Sequence, residues 1–335
     1  MDPITQGALG ASLPQSISNK KTVLIAGIIG FLSGMAPDLD IFIRSDTDPL
    51  LFLEYHRQFT HSLLFIPIGG LICTTIFFLL TRRLGLTFKQ TYIFCTLGYA
   101  THGLLDTCTS YGTQLLWPLS NHRFAWDTVS IIDPILSIPL LCLILLAALM
   151  KQPKFAIAGL CWVITYQFIG AYQNHRASEI GRQLAAERGH TPIRLEAKPS
   201  FGNLILWKVI YEIEEGFYTD GIRIGLKTKI FPGKLIPKLN MEKDFPWLDP
   251  SSQQARDLER FTWFSQGYVA VDHNSPARVI DVRYSLLPNE ATGLWSIWVF
   301  PEASHTQHAK YRMDRKITTD KRKQFLEMLF DTQPK

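Results

Sequence analysis

The sequence predicts an α-helical, polytopic membrane domain of about five helices over residues 1–175, followed by a small β-rich (α+β) soluble domain over residues 176–335. Three observations predict it. Charge is unevenly spread, since residues 1–175 carry ten Lys/Arg and nine Asp/Glu against twenty-four and twenty in the remainder. Long apolar runs without a charge mark the first half, and a period-two alternation of apolar and polar residues marks the second. The mean hydropathy of +0.07 averages over both halves and conceals each.

A chain of 335 residues can hold two domains with separate cores. The net charge of +5 includes no basic run that would track a phosphate backbone, so nucleic acid is not an expected partner. All five cysteines (Cys73, Cys95, Cys108, Cys142, Cys161) lie in the apolar half without a CxxC spacing, which argues against a disulfide framework or a zinc ribbon. Asp2, Pro3 and Gln6 interrupt the first twenty residues, and no basic n-region leads into an apolar stretch. A cleavable signal peptide is therefore not expected, and the first apolar segment serves as an anchor.

A spanning helix needs about 20 mainly apolar residues. Ser62–Leu80, Pro134–Met150 and Phe155–Tyr172 contain no charge and come close to or meet that length. Thr22–Ala36 and Thr91–Leu105 are shorter, and the latter contains His102, so these two are expected to pack against neighbours. With five crossings the connecting segments fall into two sets. Lys20, Lys21, Arg82, Arg83, Lys89, Lys151 and Lys154 lie on one side; the segments 37–61 and 106–133, with only Arg44, Arg57 and Arg123 as cations, lie on the other. Seven basic residues against three put the first set in the cytoplasm. The chain is then a multi-pass protein of the inner membrane, with the acidic, His-bearing loops and the soluble domain on the outer side.

From Arg176 the composition turns polar. Ala177–Gly189 reads as a short helix or linker, and alternation in Leu204–Gly225, Phe261–Val271 and Val279–Phe300 predicts antiparallel strands. An amphipathic helix near Lys321–Phe330 closes the chain.

Polar clusters interrupt the apolar half at the outer ends of its helices. Asp38 and Asp40 follow a helix end marked by Gly34 and Pro37, and an extended D-x-D turns both carboxylates to one side, where they suit a cation or simply solvate a turn. His56 and His61 flank the start of the next membrane helix, where loop geometry can bring two imidazoles together. His102 and Asp106 are spaced i, i+4 on one helix face, as two ligands of one ion, a ligand and its hydrogen-bond partner, or an intramembrane hydrogen bond. Ionisable groups at a membrane are costly unless paired or metal-bound. Three His and at least three carboxylates at one depth form the mixed N/O set expected of zinc, manganese or iron, with magnesium a further divalent candidate. An ion or proton pathway would use the same residue types, though at mid-bilayer rather than at helix ends.

Other candidates read as surface or turn chemistry: His305 and His308 lie in a polar stretch, Asp272-His273 looks like a turn, and Ser62 and Thr60 lack a Gly-flanked elbow. There is no HExxH.

In Pro37-Asp38-Leu39-Asp40, in HRQFTHSL at 56–63 and in GYATHGLLDTCTSYGTQLLWP at 98–118, the chain resembles the YdjM family, inner-membrane proteins described as metal-dependent hydrolases. The resemblance covers roughly residues 1–135 and implies that Asp38, Asp40, His56, His61, His102 and Asp106 form the metal site, with Arg57, Thr60 and Thr109 nearby. Family members often carry a His in the N-terminal segment where this chain has Thr5-Gln6, a departure at one coordination position if that His is a ligand. The family is distantly similar to zinc-dependent phospholipases C and related single-strand nucleases, which implies a phosphoester substrate, here a membrane lipid or envelope-derived molecule. Asp127 or Asp133 would orient water or protonate the leaving group, unless they only cap a helix, and Arg57 and Arg123 are the cations available to a phosphate oxyanion. The rival expectations are a transporter built on the same carboxylates and a scaffold whose outer domain recruits a protein partner.

Overall fold

A computed structural model of the chain describes residues 1–225, 227–314 and 317–331. They divide into two compact units, one comprising residues 1–43, 55–172 and 201–203, the other residues 44–54, 173–200 and 204–335.

The first unit is helical. Its opening helix, α1 (Pro3–Ser16), was not foreseen as an element, although its start obeys ordinary capping rules: Asp2 accepts from the Thr5 amide and Pro3 occupies the first turn, where no amide hydrogen is needed. It is buried along most of its length against α2 (Val23–Met35). The approach is close because both helices present glycines: a Cβ on Gly10 would lie 2.7 Å from the Gly30 carbonyl oxygen and 2.7 Å from Gly34 Cα. From Met35 the chain tightens into a 3₁₀ turn, Ala36–Phe42, that carries Asp38 and Asp40. After a short helix, α3 (Leu51–Tyr55), two 3₁₀ turns lead into α4 (Ile66–Arg83). The next helix, α5 (Phe88–Thr107), begins with a reciprocal capping box between Thr87 and Gln90. Asp133 caps α6 (Pro134–Leu149), and α7 (Lys154–Glu187) follows after a short turn.

Val23–Phe42, Leu63–Arg83 and Lys154–Glu187 are long and apolar enough to cross a membrane, by length and composition. Of the other two expected crossings, α6 is apolar but only 16 residues long. In α5 one side from Thr91 to Thr107 is buried and includes His102 and Asp106, which makes it a packed helix between α1, α2 and α4. The expected short helix or linker at 177–189 is instead the continuation of α7, and the chain passes from the first unit to the second inside that helix. No helix breaker stands between Ala171 and Glu187 except Gly181, and Gly181 is where Val209 packs too close for a side chain.

The second unit holds two antiparallel sheets. The first is ordered β1 (Arg194–Pro199), β2 (Leu206–Glu212), β3 (Gly216–Ile224) and β4 (Thr228–Phe231), with β5 (Leu235–Pro237) also on β3. The helical turn α8 (Met241–Asp244) and helix α9 (Gln253–Phe264) precede the second sheet, β6 (Val269–Asp272), β7 (Ser275–Asp281), β8 (Trp295–Trp298) and β9 (Lys310–Met313), and α10 (Thr319–Phe330) closes the chain as expected. Strand β2 is buried from Leu206 to Tyr211 without alternation. Ile210 packs with Phe217, Tyr268 and Ile280, Tyr211 with Ala185 of α7, and Leu206 with Phe325 and Met328 of α10, so apolar contacts cover both of its faces. The expectation of a strand over Phe261–Val271 is corrected: Phe261–Phe264 ends α9, because Ser252 caps a helix whose buried residues Ala255, Leu258 and Phe261 recur at helical spacing.

Candidate metal centre

Four segments of the first unit converge: the turn after α2, the turns before α4, the C-terminal half of α5 and the start of α1. Asp40, His61, His102 and Asp106 are almost wholly buried, and Asp38 and His56 partly so. Asp38, His61, His102 and Asp106 each offer one ligand atom within 4.8 Å of all the others, and Asp38, Asp40 and His56 form a second such group that shares Asp38.

The imidazoles are oriented from behind. His102 Nδ1 lies 2.5 Å from the Gly34 carbonyl oxygen, which can only accept, so the proton sits on Nδ1 and the Nε2 lone pair is free. His61 Nδ1 faces Thr60 Oγ1 at 2.9 Å and Asp40 Oδ2 at 3.3 Å, and Thr60 Oγ1 itself donates to Asp40 Oδ2. His61 Nε2 is thereby turned inward, 3.5 Å from Asp38 Oδ1 and 3.3 Å from Asp106 Oδ2, while His102 Nε2 stands 3.3 Å and 3.7 Å from the same two oxygens. These separations match the edges of a tetrahedron with bonds of about 2.0 Å, which are about 3.3 Å long. His61 Nε2 and His102 Nε2 are buried without a hydrogen-bond partner, a costly state for polar atoms that an ion among them would relieve, and Asp106 Oδ2 makes ion-pair contacts but no hydrogen bond.

Asp106 is held from its other side. Gln6 Nε2 donates to its Oδ1 at 2.8 Å, the α-amino nitrogen of Met1 lies 2.5 Å from the same oxygen, and Arg57 Nε lies 2.9 Å from Oδ2. Arg57 also donates to Thr109 Oγ1 and has its guanidinium over the Tyr111 ring. Its backbone is left-handed, φ 63°, a conformation that a non-glycine residue keeps only where its surroundings over-determine it. Here the Arg57 amide donates to Asp40 Oδ2 and its carbonyl accepts from the Gln114 amide. Gly103 lets α5 pass close to the His61 backbone, since a Cβ there would lie 2.3 Å from the His61 carbonyl oxygen.

All six residues expected as ligands thus meet, in two overlapping groups, and Arg57, Thr60 and Thr109 lie beside them. Asp40 does more than offer a ligand: His56 Nδ1, the Arg57 amide and Thr60 Oγ1 all bond to it, so it ties the 3₁₀ turn to the segment before α4. Asp133 caps α6 through the Ile135 and Leu136 amides and accepts from the Tyr166 hydroxyl, which occupies both carboxyl oxygens. Asp127 sits on a left-handed backbone, φ 54°, and neither metal-competent group among the described residues includes it. Arg123 donates to the His56 and Gly112 carbonyl oxygens, so it braces the backbone of a site residue. The resemblance marked Thr5-Gln6 as a departure at one coordination position, and Gln6 does reach the site, carried there by the Asp2-Pro3 helix start and the small residues Gly7, Gly10 and Ala11 that let α1 pack deeply.

Residues 1–177 match the pattern of the YdjM inner membrane protein family. A segment of 113 residues is 32% identical to the inner membrane protein YbcI of Escherichia coli (strain K12), covering 32% of this chain and 62% of that relative. No solved structure matches the chain.

Proposed function

We propose, from the premise that the chain belongs to the YdjM inner membrane protein family, that it is a membrane-bound hydrolase that uses a divalent metal, best zinc, to cleave a phosphoester of a lipid or envelope-derived molecule. The observation that carries the metal is the convergence of three buried atoms without hydrogen-bond partners, His61 Nε2, His102 Nε2 and Asp106 Oδ2, on Asp38 Oδ1. Two imidazole nitrogens and two carboxylate oxygens at tetrahedral spacing suit zinc, and a carboxylate-rich set also admits manganese or magnesium.

A bound ion would supply Lewis acidity, polarising a phosphoryl oxygen and lowering the pKa of water. The second group, Asp38, Asp40 and His56, shares a carboxylate with the first and supports a two-ion arrangement of the kind that grips both oxygens of a phosphoryl displacement. Arg57 is the side-chain cation nearest the ligands, and its guanidinium is suited to neutralise a phosphoryl oxyanion once Asp106 is engaged by an ion. Asp38 and His56, with side chains 22% and 20% exposed, are the ligands most open to substrate approach. Asp133 is occupied as a cap, which speaks against it as the proton donor, and Asp127 keeps that role on the sequence expectation alone.

The Lys/Arg asymmetry of the connecting segments supports an outward-facing site, with the C-terminal unit on the same side. A headgroup would then reach the ligands with little movement from the bilayer. The test is elemental analysis of protein purified without chelator, followed by assay in lipid against phosphodiester, phosphomonoester and peptide substrates with zinc, manganese or magnesium. Phosphoester release abolished by Asp106→Ala and His102→Ala is expected. Peptide cleavage without phosphoester turnover would overturn the substrate class, and ion flux without hydrolysis would replace the hydrolase by a transporter.

A further inference from the structure

The segment 44–54 leaves the helical unit at Ile43 and re-enters it at Tyr55, and in between belongs to the C-terminal unit. Its two ends are the ligand-bearing segments, Asp38 and Asp40 before it, His56 and His61 after it. Within the C-terminal unit one side chain grips it. Arg260 on α9 makes a bidentate pair with Asp48 (Nη1 to Oδ1 3.0 Å, Nη2 to Oδ2 2.8 Å) and places Nε 2.6 Å from Glu54 Oε1. A third carboxylate, buried Asp257, accepts from the same Nη1 at 3.1 Å and is itself held by His308 and the Ala309 amide. A planar guanidinium bound by three carboxylates in fixed directions holds its partners far more tightly than an exposed ion pair. Leu50 and Leu53 are buried beside it, and the Phe52 ring meets Tyr311 edge-on at 5.2 Å.

We propose that Arg260 is a positioning residue for the metal centre, fixing through Asp48 and Glu54 the stretch of chain that spaces Asp38 and Asp40 from His56 and His61. The inference rests on the metal-site reading above. Glu54 is three residues from Arg57, whose left-handed backbone sets the direction in which the chain turns from His56 to His61. Such a backbone is stable only when anchored on both sides. Downstream the anchors are the turn Phe59–His61 and the Thr60 bond to Asp40; upstream His56 is tied to Asp40, and α3 before it is held at Glu54 by Arg260. Released from Arg260, eleven residues regain conformational freedom, and the ends must be ordered again when an ion binds.

The experiment is a cobalt titration of the full-length protein in lipid nanodiscs, read by the visible d–d absorption, on wild type, Arg260→Ala, the loop variant Asp48→Asn/Glu54→Gln, and Arg256→Ala as a control on the same helix. Arg256 bonds only to Gln253 and the Ser251 carbonyl among the described contacts. The expected result is about tenfold weaker binding in both Arg260→Ala and the loop variant, with lowered absorption intensity at saturation and an unchanged Arg256→Ala. The loop variant leaves Arg260 with Asp257, so an effect restricted to Arg260→Ala would trace to α9 itself and overturn the inference. Undiminished binding in both variants would overturn it while leaving the metal-site reading intact. A wild type that binds no cobalt and holds no ion would defeat the metal-site reading, and the inference with it.

Discussion

The Nδ1 atom of His102 on α5 bonds to the carbonyl oxygen of Gly34 on α2 at 2.5 Å, so the packing of two helices orients a histidine of the candidate metal centre. Gly34 permits this because Gly10 of α1 lies against it; a Cβ at position 34 would sit 2.8 Å from Gly10 Cα and 2.9 Å from the Gln6 carbonyl oxygen, both backbone atoms that cannot swing aside. Gly34→Ala is therefore expected to part α1 from α2, lowering stability by roughly 1–3 kcal/mol and weakening metal binding. Thermal melts in detergent with and without zinc check this, and a variant as stable as wild type with full metal content would refute it.

Thr60 Oγ1 donates to Asp40 and faces His61 Nδ1. Thr60→Val keeps the shape and removes both bonds. Zinc affinity, measured by competition with a chromogenic chelator, is expected to fall about 10- to 100-fold, the usual cost of losing a hydrogen-bond partner behind a ligand. Thr60→Ser should restore most of it.

Arg283 and Asp281 form a wholly buried pair in the C-terminal unit, with Arg283 Nη2 2.7 Å from Asp281 Oδ2 and its Nε 3.0 Å from Oδ1. Asp281→Ala leaves a buried guanidinium without its carboxylate, which typically costs about 3–5 kcal/mol. Loss of the cooperative denaturant transition of this unit, or a marked fall in its midpoint, is the expected reading. A shift below about 1 kcal/mol would mean that water reaches Arg283.

Lys208 on β2 is buried with Nζ 2.8 Å from Ser285 Oγ and 2.7 Å from the Glu290 carbonyl oxygen. Burial pushes its ammonium down to about 7, outweighing the attraction of Asp281 and Glu290. An unfolded lysine titrates near 10.4, so between about pH 7 and 10 the unfolded chain binds the extra proton and stability rises with pH, by at most about 1.4 kcal/mol per unit. Below pH 7 both states are protonated and this contribution is flat. Urea midpoints of the C-terminal unit at pH 7, 8 and 9 should increase in wild type and lose that slope in Lys208→Met; equal slopes would show that another group sets the pH response.

On the expectation of five crossings, with seven basic residues in one set of connecting segments against three in the other, a reporter fused after Pro199 should be active only outside the cytoplasm. Cytoplasmic activity would mean an even number, with Val23–Phe42 re-entrant.

The ligand set was legible because ionisable residues stand out at the ends of apolar helices, where few alternatives explain them: the D-x-D at 38–40, the two His at 56 and 61, and the i, i+4 pair at 102 and 106 all meet. Of what surrounds the ligands, Arg57, Thr60 and Thr109 were implied by the family resemblance, and Thr5-Gln6 was marked by it as a departure. What Gln6 does, donating to Asp106, follows from how closely α1 packs, which no local pattern encodes. Asp133 was readable as a helix cap, and the Ile135 and Leu136 amides use it as one; that the Tyr166 hydroxyl, 33 positions away, takes its second oxygen was not readable. In the β-rich half the alternation signal located β2 and β3, whereas Phe261–Phe264 read as strand because aromatic residues favour strands when the cap at Ser252 is overlooked.

Asp48 and Arg260 are separated by 212 positions in the chain. Translation at about 5–20 residues per second puts roughly 10–40 s between the emergence of one and the other. For that interval the nascent protein has the helices of its first unit and every candidate ligand, but no Arg260 to hold the acidic segment between them. A chain that stops short of α9 would lack that hold permanently, and faster proteolysis within residues 44–54 is its expected mark.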